Sequence, residues 1–169
     1  KKVKPLAMSL QLKRISSDAS KSIAVSCVHA RIPLISGGFS CQLYTAKSKI
    51  VRYETVPRAE LRAAVMSASL GHTVKYNLGS QFYDSMYVTD STIVLHWLSH
   101  DERPLDTAVR NSVIEIRRFT NVNQWYHIDG ELNIADLGTR HAIISDIGPG
   151  SEWQDGKSWM NLPVSEMPV

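Results

Sequence analysis

Long apolar runs are what this chain most plainly lacks: nothing in its 169 residues approaches the roughly 20 consecutive apolar residues that span a bilayer. A membrane-spanning segment is therefore not expected, and the Lys-rich start KKVKPLAMS lacks the apolar core of a signal peptide. Cysteine is scarce as well. Cys27 and Cys41 are the only two and have no metal-ligand spacing, which argues against a thiolate zinc site and a disulfide-stapled scaffold. They fall on runs that read as neighbouring strands, so buried reduced thiols in an intracellular compartment are expected, with a disulfide between those strands as the alternative. Internal repeats and low-complexity tracts are absent, and His29, His72, His96, His100 and His141 show no ligand pattern. The chain starts without Met, which suits an internal piece of a longer protein.

With 43% hydrophobic and 21% charged residues, the composition fits one globular domain plus an appendage. The net charge of +3 hides an asymmetry: residues 1–60 carry 11 Lys+Arg against 3 Asp+Glu, and residues 61–169 carry 8 against 13. A basic front and an acidic remainder suit a polyanion held against a carboxylate cluster, though ordinary surface charge gives the same totals.

Residues 1–9 read as a basic lead-in. LQLKRISSDAS is a weak strand because Lys13, Arg14 and Ser16 interrupt its alternation. SIAVSCVHARI and FSCQLYTAK alternate better, with Ile23, Val25 and Cys27, then Phe39, Cys41 and Leu43, each on one face. Short connections make these three strands antiparallel. A helix is expected from near Pro57, with a stripe of Leu61, Ala64, Val65 and Ala68, and many small residues that let it lie close to a sheet. A fourth strand should end at Asp90, followed by a helix from Ser91 to about Ser99. TAVRNSVIEIRRF reads as a helix with Val109, Val113 and Ile116 inward, NQWYHI as a fifth strand, and NIADLGTR as the start of a last helix. The expected class is α/β: a mixed five-stranded sheet, three antiparallel strands followed by parallel additions, flanked by helices. The main domain spans 10–140, and 141–169 reads as an extended tail packed locally by Trp153 and Trp159, or as a linker.

Asp18, Glu60, Asp90 and Asp136 carry the candidate chemistry. Singly, each has a bland explanation as a turn residue, cap or helix-end charge. Jointly they do not, because a sheet with Asp18 central brings all four together. Such carboxylates raise one another's pKa values, and divalent cations relieve the repulsion. Hard oxygen ligands favour two Mg²⁺ ions, with Mn²⁺ able to substitute, and paired ions serve phosphodiester hydrolysis. Asp18 would bridge the ions, Glu60 and Asp90 would complete the one at the leaving group, and Asp136 the one that activates water. His127, nine residues before Asp136, could move protons or sit as a structural histidine.

TVPRAELRAAV, YVTDSTIVLHWL and WYHIDGELNIADLGTR together resemble the ribonuclease H region of long-terminal-repeat retrotransposon Pol polyproteins, most closely the Bel/Pao group. The resemblance implies a ribonuclease H-like fold, the four acids as metal ligands, and endonucleolytic cutting of the RNA strand in RNA:DNA hybrids to 5′-phosphate and 3′-hydroxyl ends. It also implies reverse transcriptase and integrase modules as partners, and a cytoplasmic virus-like particle, or the nucleus, as the setting. Hybrid recognition would need small polar groups on the 2′-hydroxyls, for which Ser20, Ser91 and Thr92 are candidates, and cations on phosphates, for which Arg58, Lys47, Lys49, Arg110, Arg117 and Arg118 are, with Asn133 as a further candidate nucleic-acid contact. A DNA-directed nuclease of the same fold and a non-catalytic tether are the competing readings.

Overall fold

The period-two runs form the sheet. In the computed structural model, which describes residues 12–35, 38–52, 54–78, 85–101, 103–140 and 142–169, β1 (Leu12–Ala19), β2 (Ile23–Pro33) and β3 (Phe39–Ile50) pair antiparallel in succession. β4 (Ser85–Thr89) adds parallel to β1, and β5 (Trp125–His127) parallel to β4. The order β3-β2-β1-β4-β5 puts the most polar strand at the centre. Polar alternation made β1 the weakest candidate, yet Lys13, Arg14, Ser16, Ser17 and Asp18 are all buried. Two hydrogen-bonded neighbours satisfy its backbone, and Arg14 reaches Met86 Sδ at 2.9 Å. The lead-in at residues 1–9 lies outside the described residues.

Helices cover one face. α1 (Val56–Leu78) starts where the Thr55 carbonyl accepts the Ala59 amide at 3.0 Å, with Pro57 in the first turn, where an amide proton has no helical partner. α2 (Thr92–Ser99) is capped by the Ser91 hydroxyl, and α3 (Thr107–Phe119) by the Asp106 carboxylate. Leu61, Ala64 and Ala68 of α1 and Val109, Val113 and Ile116 of α3 pack with Ile15, Val28 and Tyr87 into one core cluster. Gly71 lets α1 approach the sheet. A Cβ there would run into the Tyr87 hydroxyl and stand 2.6 Å from Ile15 Cδ1. Among the described residues no helix is long and apolar enough to cross a membrane.

The second face differs from expectation. NIADLGTR forms no helix beyond a 3-10 turn at Ile134–Gly138, with Thr139 as its C-cap. The Asn133 side chain caps it and ties it to β1, and Gly138 is pressed on Val25, so a long helix has no room to continue in that direction. Two four-residue helices follow, α4 (Ile144–Ile147) and α5 (Glu152–Asp155). Instead of trailing away, this C-terminal segment lies on the sheet. Trp159, Met160 and Met167 are buried against Val25, Cys27, Cys41, Met86 and Val88, and the Trp159 indole donates to the Leu132 carbonyl at 3.1 Å. His29 contacts the Trp153 carbonyl at 2.9 Å, and Arg31 donates to that of Asn161 at 3.3 Å. Both cysteines are free: Cys27 stands opposite Ala46 and Cys41 opposite Arg31, which removes the disulfide alternative.

Two stability outcomes follow. Gly71→Val should lower unfolding stability by about 2 kcal/mol, because overpacking outweighs the gain in helix propensity; chemical denaturation measures it. Ending the chain after Arg140 should remove about 5 kcal/mol by exposing the pocket of Trp159, Met160 and Met167, close to the whole stability of a small domain. Loss of a cooperative unfolding transition in the truncated chain is the expected readout.

Candidate active site

Parallel pairing of β1 with β4 lines up the C-terminal ends of the two strands, where Ser17 pairs with Thr89. Asp18 follows on β1 and Asp90 immediately after β4. Glu60 comes from the first turns of α1 and Asp136 from the 3-10 turn. Four elements therefore supply one carboxylate each to one end of the sheet.

Their charges link them pairwise, and Asp18 is linked to each of the other three. Burial lifts the Asp90 carboxyl to about 6, with the charges of Asp18 and Glu60 adding to the rise. Burial also raises Asp18, opposed by a hydrogen bond from Thr139 and reinforced by the charge of Asp136. Glu60 is raised by burial, opposed by Ser91 and reinforced by Asp18.

Each acid is also held by a neighbour. The Thr139 hydroxyl donates to Asp18 Oδ2 at 2.5 Å, and the Ser91 hydroxyl to Glu60 Oε2 at 2.5 Å. Asn133 Nδ2 donates to the Ser17 carbonyl at 2.9 Å and more weakly to Asp90 Oδ1 at 3.4 Å. Arg140 Nε sits 2.7 and 2.8 Å from the two Asp136 oxygens. Gly130 leaves space beside Asp90, since a Cβ there would stand 3.2 Å from Oδ2.

Among the described residues, no three His, Cys, Asp or Glu side chains are already drawn together tightly enough to hold a metal ion. The donor set nevertheless fits a hard divalent cation: oxygen ligands only, raised carboxyl pKa values and room beside Asp90. Mg²⁺ keeps several waters and takes substrate phosphate oxygens, so an open arrangement of acids suits it better than a closed cage.

The other sequence candidates divide. His127 ends β5 with an exposed ring, opposite Thr89 and so beside the strand that delivers Asp90. Thr92 is exposed at the start of α2, and Ser91 is at the site but bonded to Glu60. Asn133 is only 1% exposed and ties β1 to the turn, so it is a strut rather than a nucleic-acid contact. Ser20 holds the β1–β2 turn by accepting the Ile23 amide at 3.2 Å. Arg58 is paired with Asp106 at 3.0 Å, and Arg117 donates to the Leu98 carbonyl at 3.0 Å at the end of α2. Arg118, Lys47 and Lys49 are exposed, and Arg110 is half-buried. Sequence reasoning missed Thr139 and Arg140, whose hydroxyl and cation follow Asp136 within one turn.

Residues 6–91, half of the chain, match the family model described as "Pao retrotransposon-like RNaseH-like domain". The chain belongs to that family. The matched stretch holds Asp18, Glu60 and Asp90. The Pao-like ribonuclease H fold extends further: LC11-RNase H1, solved in complex with an RNA/DNA hybrid, is 14% identical, with 81% of this chain and 99% of that one covered at a TM-score of 0.51. A second structure of LC11-RNase H1, isolated from compost by a metagenomic approach, is 15% identical over 81% and 97% of the two chains at 0.50. RNase H1 of the halophilic archaeon Halobacterium salinarum NRC-1 is 16% identical over 70% and 86% at 0.42. Among curated protein sequences, none matches. At these identities the structural likeness is one of fold.

The raised acids give a pH signature. A carboxyl at about 6 in the fold, against an ordinary 3.8, contributes stability that is complete below the lower value and lost as pH rises through the higher one. Asp90→Asn should therefore match wild type in melting temperature near pH 4 and exceed it progressively up to pH 7 without metal. Mg²⁺ should raise the wild-type melting temperature at pH 7 and do so much less in the variant; scanning calorimetry reads both.

Proposed function

We propose that this domain hydrolyses the RNA strand of RNA:DNA hybrids with two divalent cations, as the ribonuclease H part of a retroelement Pol polyprotein. The observation that carries this is the convergence of Asp18, Glu60, Asp90 and Asp136 from four elements at the end of two parallel strands. Mg²⁺, or Mn²⁺ in its place, supplies activation of water and charge stabilisation at the departing oxygen when bound.

The chain's own residues do the positioning. Asp18, on the central strand, is the acid whose charge interacts with each of the other three, Asp136, Glu60 and Asp90, and so suits the shared ligand of two ions. Thr139 and Ser91 fix one oxygen each of Asp18 and Glu60, leaving the remaining lone pairs for ligation. Thr92, exposed beside Asp90, is the polar group proposed for a ribose 2′-hydroxyl, and the exposed lysines of β3 for phosphates, whereas Arg118 ends α3 beside Phe119, near the start of β4 and away from the acids. His127 at the end of β5 would assist proton movement or product release. The products would carry 5′-phosphate and 3′-hydroxyl ends. Reverse transcriptase and integrase modules would be its covalent neighbours, in a cytoplasmic particle.

One observation favours the non-catalytic tether as a second reading: Arg140 already neutralises Asp136. Cleavage of a labelled RNA:DNA hybrid under titrated Mg²⁺ and Mn²⁺ separates the two. Wild type should cut the hybrid and spare double-stranded DNA and single-stranded RNA, with Asp90→Asn reducing the rate roughly a hundredfold or more. Hybrid binding without cutting under either metal would establish the tether.

A further inference from the structure

A cavity of about 320 Å³ lies between the second half of β3 and the C-terminal segment, walled by Lys47, Ser48, Leu137, Arg140, Ile147 and Trp153. Its charge is one-sided: beside aliphatic side chains such as Leu137 and Ile147, two cations, a hydroxyl and an indole line it, and no acid does. The corresponding cavity between α1 and α3 is lined by Glu54 and Glu115 beside its arginines. The cavity also adjoins the carboxylates. Leu137, Gly138 and Arg140 continue the turn that carries Asp136, and Arg140 bonds that acid. Across the sheet, Asp18 pairs with Val25 and Val25 with Ser48. At about 4.8 Å per strand, Ser48 is about 10 Å from Asp18, a span of about three nucleotides at the rise of one strand.

Resting on the nuclease reading, we infer that this cavity is a nucleotide subsite for an unpaired strand leaving the cleavage site, with a phosphate on Lys47 and a base against Trp153. A paired base has its faces covered by its stacked neighbours, whereas a single strand offers both a π-face for the indole and a phosphate for the cations. Its volume is that of a small-ligand pocket. Arg140 connects the two sites: it lines the cavity and its Nε bonds Asp136, so a phosphate in the subsite competes for the cation that pairs with the acid.

The test is hybrid binding by fluorescence anisotropy in Ca²⁺, with blunt RNA:DNA hybrids compared with hybrids carrying a short single-stranded extension on either strand. Wild type should bind one extended hybrid about tenfold more tightly than the blunt one. Lys47→Glu and the cavity-filling Ser48→Tyr should each abolish that preference. Lys75→Glu, the same charge change at an exposed position of α1 outside the cavity wall, should keep it. Equal affinity of wild type for blunt and extended hybrids, or a preference that survives both cavity variants, would overturn the subsite and leave the nuclease reading standing. Failure of wild type to bind any hybrid would overturn both. Far-ultraviolet circular dichroism of each variant checks that it is folded.

Discussion

The central position of β1 is the constraint on which the rest of the structure depends. Only a strand with neighbours on both sides can end in an acid approached by a parallel strand end, a helix and a turn at once. Asp18 has all three: β4 delivers Asp90, α1 delivers Glu60, and the 3-10 turn delivers Asp136. Centrality has a cost. It buries Lys13 and Arg14, and burial together with the nearby Lys75 brings the Lys13 amine down to about 8. The long stems of these side chains pack within the layers of the domain, which is how a polar sequence occupies the sheet's interior.

The two faces solve different problems. α1 to α3 bury one face by ordinary helix packing, close enough that Gly71 has no space for a side chain. The other face carries the turn with Asp136, whose direction is fixed by Asn133 and by contact of Gly138 with Val25. Short turns and tryptophans therefore take the place of a long helix there. Gly156, with a positive φ of 75°, brings the backbone down on Cys41, and Met160 and Trp159 fill the space beside it. The same segment forms the outer wall of the cavity beside the acids, so the cover of the core and the surroundings of the site are one piece of chain.

Much of this was legible in the sequence, for physical reasons that also explain the remainder. Period-two runs with short connections gave β2 and β3, and the apolar stripes gave α1 and α3, because burial on one face imposes those periods. β1 was obscured because its buried side chains are polar and its identity as a strand comes from its neighbours. The segment after Arg140 was obscured because tertiary contacts without periodicity leave no repeating signal. At the site, the acids were visible as a set of types in order. The strut role of Asn133 was hidden because a capping asparagine and one that also bridges to a distant carbonyl look alike in sequence. Thr139 and Arg140 were hidden because their partners lie in the fold, or within one turn that had been expected to be helix.

Charge explains why the acids can remain so close without a closed cage. Three of them have raised pKa values, and each elevation combines burial with a neighbouring carboxylate. Hydroxyls from Ser91 and Thr139 stabilise the charged forms locally but bring no positive charge. Arg140 is the one cation bonded to the set among the described residues, and it is bonded to Asp136. The cluster thus has local compensation on one flank and a surplus of negative charge around Asp18, Glu60 and Asp90. A divalent cation bound there would relieve that surplus without moving the strands, because the acids come from rigid elements whose positions the core has already fixed. The arrangement is therefore ordered by packing and left incomplete in charge, which is the condition under which binding a cation and a polyanion together gains the most.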